Sequence, residues 1–291
     1  LMLPSPGLIF QSILDGVFLG FLYSLIALGL SLVFGVMGII NFAHGDFIML
    51  GSYLVWILAN SLRTDPSLMS LATVPLFFVL GTAIYTTIIR PVLGKEPLIQ
   101  IAVTVGIGYV LQNIALMMFR AEPRAVQITY LNFYLNLGVV SIHVAKLISA
   151  FLSLLIVLGV HYLLTKTWVG LAIRATAYDR EVASLMGINV SKIFLLVFSL
   201  GIALTGLAAS LWMTFGQADP YIGSSFGLLT WVIIALGGLG GVSGLIASSL
   251  IVGIIQSLTM TLVSPTVSLA IPYVVFIIVL WFRPQGLFGK G

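Results

Sequence analysis

Apolar runs long enough to cross a bilayer follow one another along this chain, with only short polar breaks between them. Crossing the hydrocarbon core takes about 20 mostly apolar residues in a helix. The candidates are Leu8–Leu32, Phe34–Ala59, Leu68–Ile89, Leu98–Phe119, Ala145–Thr165, Ile193–Phe215, Ser225–Leu239, Ser243–Val263 and Val267–Phe282. Each is expected to be helical, because lipid offers backbone groups no partner and a helix satisfies its own. The alternating pattern of a membrane barrel strand reads very differently. Composition agrees: 60% of the 291 residues are hydrophobic and only 7% charged, where a soluble domain has about a quarter charged. Soluble enzymes, nucleic-acid binders and disordered chains are thereby excluded. The expected fold class is an all-α integral membrane protein, a single transmembrane domain over residues 1–291. Eight or nine transmembrane helices are expected, with an interrupted or re-entrant second segment at Phe34–Ala59. Ser225–Leu239 is short for a span. The first apolar run is long and lacks a cleavage-like site, so it reads as a retained span. With no cysteine, there is no disulfide and no Cys-ligated metal.

The net charge of +4 comes from scattered basic residues, which report orientation rather than nucleic acid. Placing the Lys166–Lys192 connection inside also puts Arg90, Lys95, Arg283 and Lys290 inside, with Arg63, Arg120, Arg124 and Lys146 outside. The N-terminus is then outside if Phe34–Ala59 crosses, and inside if it is re-entrant. Phe34-Gly35 and Phe215-Gly216 each follow a long span and precede an interrupted segment. They are either the trace of an internal repeat of the kind transporters carry or chance.

Polar residues inside apolar runs are the candidate sites, because a charge near mid-membrane is costly. Asn41, His44 and Asp46 fall in one apolar stretch, among glycines at 35, 38, 45 and 51. They read either as a helix break lining a substrate path or as an interfacial loop. Asp15 reads either as a cavity or pairing group inside the first span or as an edge residue. His143 and His161 are read as structural. The glycine-rich Gly237–Gly244 lacks the Lys-Ser/Thr ending of a phosphate-binding loop and reads as a tight inner turn. No P-loop, no metal cluster and no hydrolytic constellation occurs, so the chain is read as neither an enzyme nor an ATPase. Residues 170–192 mix charges with Val182, Leu185 and Met186 at helical spacing, expected as an amphipathic helix along the inner face.

Within that segment Glu181, Ala183 and Gly187 resemble the EAA loop of ABC importer permeases. Further text points the same way: Tyr23 to Leu30, Phe34 to Met37, Ile40 to Gly45, Asp179-Arg180-Glu181, Leu185 to Asn189, Leu236 to Gly240, and Arg283 to Gly289. In this order and over nearly the whole chain, the sequence resembles the LivH-type permease subunit of branched-chain amino acid ABC transporters. Asp46 stands where that family often has Glu. The resemblance implies a multi-pass protein of a bacterial or archaeal inner membrane. It implies a second permease subunit, two cytoplasmic ATPase subunits that use the ATP, and an extracytoplasmic solute-binding protein as partners, with no cofactor on this chain. The expected substrate is a branched-chain or other neutral amino acid, moved by alternating access. The alternative is an ion-coupled secondary transporter or channel for a small neutral solute such as urea or amides. The expected pathway residues are Asp15, Asn41, His44 and Asp46. ATPase coupling is expected at Arg180, Glu181, Ala183 and Gly187, within residues 170–189. Binding-protein contact is expected at Gln217, Asp219 and Tyr221 or the Ala121–Val144 loop.

Overall fold

Helix α1 (Pro6–Met37) is the longest of the described helices and packs against the helices at Val144–Lys166, Val190–Trp212 and Val242–Leu262. Pro6 opens it, and Gly38 closes it in the left-handed region (φ 67°), its N–H donating to Phe34 O at 2.8 Å. The structure is a computed structural model that describes residues 5–126, 133–136, 138, 140–238, 241–283 and 285–288. Parts of the expected Gly237–Gly244 turn, the Ala121–Val144 loop and the Arg283–Gly289 tail, together with Lys290, lie outside the described residues.

After α1 come α2 (His44–Leu62), α3 (Ser70–Ile84) and α4 (Arg90–Val92). A 3-10 turn (Pro66–Met69) leads into α3 and a π turn (Tyr85–Ile89) joins α3 to α4, making one apolar run, Pro66–Val92. Then follow α5 (Pro97–Phe119), the antiparallel hairpin β1 (Tyr134–Asn136) and β2 (Ser141–His143), and α6 (Val144–Lys166). The short α7 (Trp168–Tyr178) and α8 (Arg180–Leu185) lead into α9 (Val190–Trp212). The chain ends with α10 (Ile222–Gly237), α11 (Val242–Leu262) and α12 (Pro265–Phe282). Among the described residues, 8 helices are long and apolar enough to cross a membrane, and α10 is shorter.

Helices α1 and α9 form the buried centre, while α5 and α12 turn most of their apolar surface outward. Lipid is as apolar as leucine, so helices associate through close fit rather than water exclusion, and small residues permit that fit. A methyl group added to Gly16 would lie 2.5 Å from Ile254 Cα of α11, and one on Gly20 2.8 Å from Leu250 Cα. Gly29 and Gly201 make the corresponding approach between α1 and α9.

Three expectations change. Helix α1 runs to Met37 rather than Leu32, so the interruption falls at residues 38–43 and everything from His44 to Leu62 is one unbroken helix. Phe34-Gly35 thus sits in the last turn of α1, whereas Phe215-Gly216 lies beyond the end of α9. Residues 170–192 are not one amphipathic helix: Asp179, with extended backbone, ends α7 and caps α8.

Candidate functional site

Beyond Gly38 the chain turns back alongside α1. By His44 it has reached the level of Ile26, whose carbonyl accepts from His44 Nε2–H at 3.1 Å. Ile26 is eleven residues short of Met37, about 16 Å along a helix. The non-helical stretch is held by Thr104 of α5. Its Oγ1 accepts from Phe42 N–H at 3.3 Å and donates to Ile40 O at 3.0 Å. Irregular backbone at this depth is tolerated only against protein or a water-filled cavity.

The first turns of α2 and α10 meet here through glycine. A methyl on Gly45 would strike Gly223 O and lie 2.5 Å from Gly227 N. Asp46, in the first turn of α2, lies between Gly223 and Gly108, the midpoint of α5. A methyl on either glycine would run into its carboxylate oxygens. Among the described residues no ion pair or hydrogen bond reaches that carboxylate. It opens instead on a cavity of about 200 Å³ lined by Phe42, Val105, Gln112, Ser224 and Leu228. A larger cavity, about 300 Å³, lies beside Tyr23, Trp212 and Tyr273. There Tyr23 and Gln256 satisfy each other at 2.9 Å, and no charged group lines it.

Of the other expected pathway residues, Asn41 and His44 are 1% and 0% exposed. They are not among the cavity's lining residues, and among the described residues Asn41 Nδ2 and His44 Nδ1 have no hydrogen-bond partner. Asp15 is elsewhere altogether. Its Oδ1 pairs with Lys146 Nζ at 2.9 Å and its Oδ2 accepts from Gln11 Nε2 at 3.0 Å. Gln11 in turn holds both the N–H and the carbonyl of Ser141. A partly buried carboxylate finds its counter-charge here, so Asp15 fastens α1 to α6 and the hairpin instead of facing a path. Beside it, burial and then the Lys146 charge hold the His143 imidazole below its ordinary value, with Asp15 opposing.

The 170–189 segment is built by caps. Thr167 Oγ1 accepts from Gly170 N–H at 3.1 Å to start α7. Asp179 Oδ1 accepts from Glu181 and Val182 N–H at 2.9 and 3.0 Å to start α8. Gly187 (φ 85°) closes α8, with Gly187 N–H bonded to Ser184 O and Ile188 N–H to Ala183 O. Ala183 is buried beneath, Glu181 is exposed, and Tyr178, Leu185 and Met186 are 95%, 86% and 78% exposed. Arg180 is exposed, but its guanidinium reaches back to the end of α1. Nη2 donates to Met37 O at 2.7 Å, and the group sits 5.1 Å from the Phe194 ring centre. An unpaired carbonyl at the C-terminus of α1 attracts a cation, and Arg180 supplies it. Sequence reasoning quoted Asp179 only as part of a motif and did not single out Tyr178; the N-cap preference for Asp was the available signal for the cap.

Gln217, Asp219 and Tyr221 form the α9–α10 turn. Asp219 Oδ1 accepts from Tyr221 N–H at 2.7 Å and Gln217 O from Trp212 Nε1–H at 3.0 Å. Gln217 and Tyr221 are exposed, whereas Asp219 is half-buried and occupied by the turn. Ala218 bridges Arg124 through paired backbone bonds of 2.8 Å, joining the turn to the start of the Ala121–Val144 loop. The hairpin contacts α1 at Gln11 and α8 contacts it at Met37, about 39 Å apart along one helix.

Residues 12–280 match the family described as branched-chain amino acid transport system permease component. The chain is 30% identical, over 96% of its length and 95% of the relative's, to the high-affinity branched-chain amino acid transport system permease protein BraD of Pseudomonas aeruginosa. It is 29% identical over the same shares to LivH of Escherichia coli, which carries the same description. It is also 28% identical, over 80% of this chain and 76% of the relative, to a probable branched-chain amino acid transport permease LivH of Methanocaldococcus jannaschii. No solved structure matches it. A multi-helix membrane protein with a break at residues 38–43 and a match across most of its length, the chain belongs to the family of branched-chain amino acid transport permease components.

Proposed function

We propose that this chain is the membrane-spanning permease subunit of an ABC importer, carrying branched-chain or other neutral amino acids across a bacterial or archaeal inner membrane. It carries no cofactor of its own, and ATP is used by two cytoplasmic ATPase subunits. A second permease subunit and an extracytoplasmic solute-binding protein complete the machine.

The observation that carries this reading is the α7–α8 platform. Tyr178, Leu185 and Met186 present bulky apolar side chains at the end of a short, capped segment. The segment is tied to α1 by Arg180. A partner seated there could move α8, and through Arg180 the Met37–Gly38 joint, from which residues 38–43 lead to the cavity. Glu181 and Gly187 serve that platform, one exposed at its start and one shaping its end. The binding protein would dock at the opposite end of α1, on Gln217, Tyr221 and the hairpin. Alternating access follows if closure of the ATPases shifts α8 and so reorients the first turns of α2 and α10.

The test is co-purification and reconstitution. The tagged chain, expressed with its neighbouring genes, should bring down a Walker-motif ATPase. Proteoliposomes with ATP inside should then take up leucine only when a binding protein is supplied outside. Uptake by the purified chain alone, driven by an ion gradient, would replace this reading with the secondary-transporter alternative.

A further inference from the structure

We infer that Asp46 is the counter-charge for the α-ammonium group of the transported amino acid, in a half-site whose apolar wall takes the aliphatic side chain. The inference rests on the permease reading above and adds what the cavity binds.

The two acidic side chains of the apolar helices are treated in opposite ways. Asp15 is neutralised by Lys146 and Gln11. Asp46 stands level with the middle of α5, and among the described residues no cation or donor reaches its carboxylate. An unpaired carboxylate at that depth is costly, and such groups mark substrate or ion paths. The surrounding backbone is cut away for it: Gly108 and Gly223 both leave the space its oxygens occupy. Around it the cavity offers what a zwitterion with a branched side chain requires. Phe42, Val105 and Leu228 are the apolar wall, and Gln112 supplies amide donors within the same lining for the α-carboxylate. Tyr109, Ser224 and Leu228 line the cavity and are themselves exposed. Lipid against that opening would leave the carboxylate unsolvated, so the opening suits the second permease subunit, which would complete the site.

The test uses the assembled permease–ATPase complex in nanodiscs without the binding protein, so that the binding protein's own selectivity does not intervene. Three probes are titrated by saturation-transfer NMR: leucine, isopentylamine (ammonium only) and 4-methylpentanoate (carboxylate only). Asp46→Asn should weaken leucine and isopentylamine about 10- to 100-fold, the range of a charged hydrogen bond, and leave 4-methylpentanoate bound no more weakly, since a like charge is removed. Asp46→Glu should retain part of the leucine affinity. Gly108→Ala, which keeps the charge but crowds the carboxylate, should weaken the same two probes while the complex still assembles. Leucine binding within twofold of wild type in Asp46→Asn overturns the assignment. So does equal loss of all three probes, which marks Asp46 as structural, and so does leucine binding that depends on a monovalent cation held at Asp46. A wild-type complex that imports leucine but shows no ammonium-dependent binding overturns the assignment and leaves the importer reading standing. A wild-type complex without ATPase or uptake defeats the importer reading itself.

Discussion

Gly45→Ala tests the meeting of α2 and α10. An added Cβ would strike Gly223 O and come within 2.5 Å of Gly227 N and 2.8 Å of Gly227 Cα, where ordinary contact begins at 3.4 Å. All three are backbone atoms, so no rotamer change relieves the clash and the helices must part by about 1 Å. A gap of that size forfeits roughly a quarter to a half of each contact's ~0.1–0.2 kcal/mol. Over about 40 atom pairs, the number one buried leucine makes, this comes to about 1–4 kcal/mol, in line with the ~1–3 kcal/mol of overpacked cores. Gly35→Ala is the matched control. No atom lies within 4 Å of its added methyl, and alanine is the better helix former by about 0.5–1 kcal/mol. Unfolding by SDS in mixed micelles should therefore move in opposite directions for the two variants. Gly223→Ala meets Asp46 Cα at 2.9 Å, so the double variant with Gly45→Ala should cost less than the sum, the helices having already parted. A Gly45→Ala protein with the wild-type midpoint would refute the close approach and, with it, the placement of Asp46.

Arg180→Ala removes the link to Met37 O. Leucine taken up per ATP hydrolysed should fall in proteoliposomes while hydrolysis continues, and Arg180→Lys should recover part of it; unchanged stoichiometry would remove Arg180 from the coupling route. Leu185→Asp, at a side chain 86% exposed, should leave stability within about 0.5 kcal/mol yet lose the ATPase in a pull-down. His143 is held below its ordinary 6.5, first by burial and then by Lys146. The unfolded chain therefore binds a proton that the folded chain resists, and stability is full above that value and falls as pH drops through it. Lys146→Ala removes the repulsion and keeps the pull of Asp15, so this low-pH loss should shrink, as unfolding midpoints between about pH 5 and 8 would show. An undiminished loss would place the cause outside the Lys146–His143 pair.

The helices were legible because apolar run length is a local property. Leu98–Phe119 was expected and Pro97–Phe119 is found; Ile193–Phe215 was expected and Val190–Trp212 is found. The interruption of the second segment was also visible, from its glycines and the Asn41–Asp46 polar cluster. Its position was not, because Phe34–Met37 are as apolar as the span before them and only Gly38, adopting a positive φ, marks the end of α1. The polar pathway candidates could not be sorted by sequence. Asp15 and Asp46 look alike on paper, and only the folded chain brings Lys146, 131 positions away, to the first and, among the described residues, no cation to the second. The direction of the Arg180 guanidinium likewise depends on where α1 ends.

Within the sequence, hydropathy determined the solvent and the secondary structure, since a bilayer accepts only self-satisfied backbone, and motifs that run in order along the chain determined the family. Tertiary structure alone decided which acid is neutralised, which lines the cavity, and which end of α1 each loop occupies. The reason is physical: a site made of Asp46, Gly108 and Gly223 exists only where three helices far apart in sequence come close enough that a single methyl group would not fit.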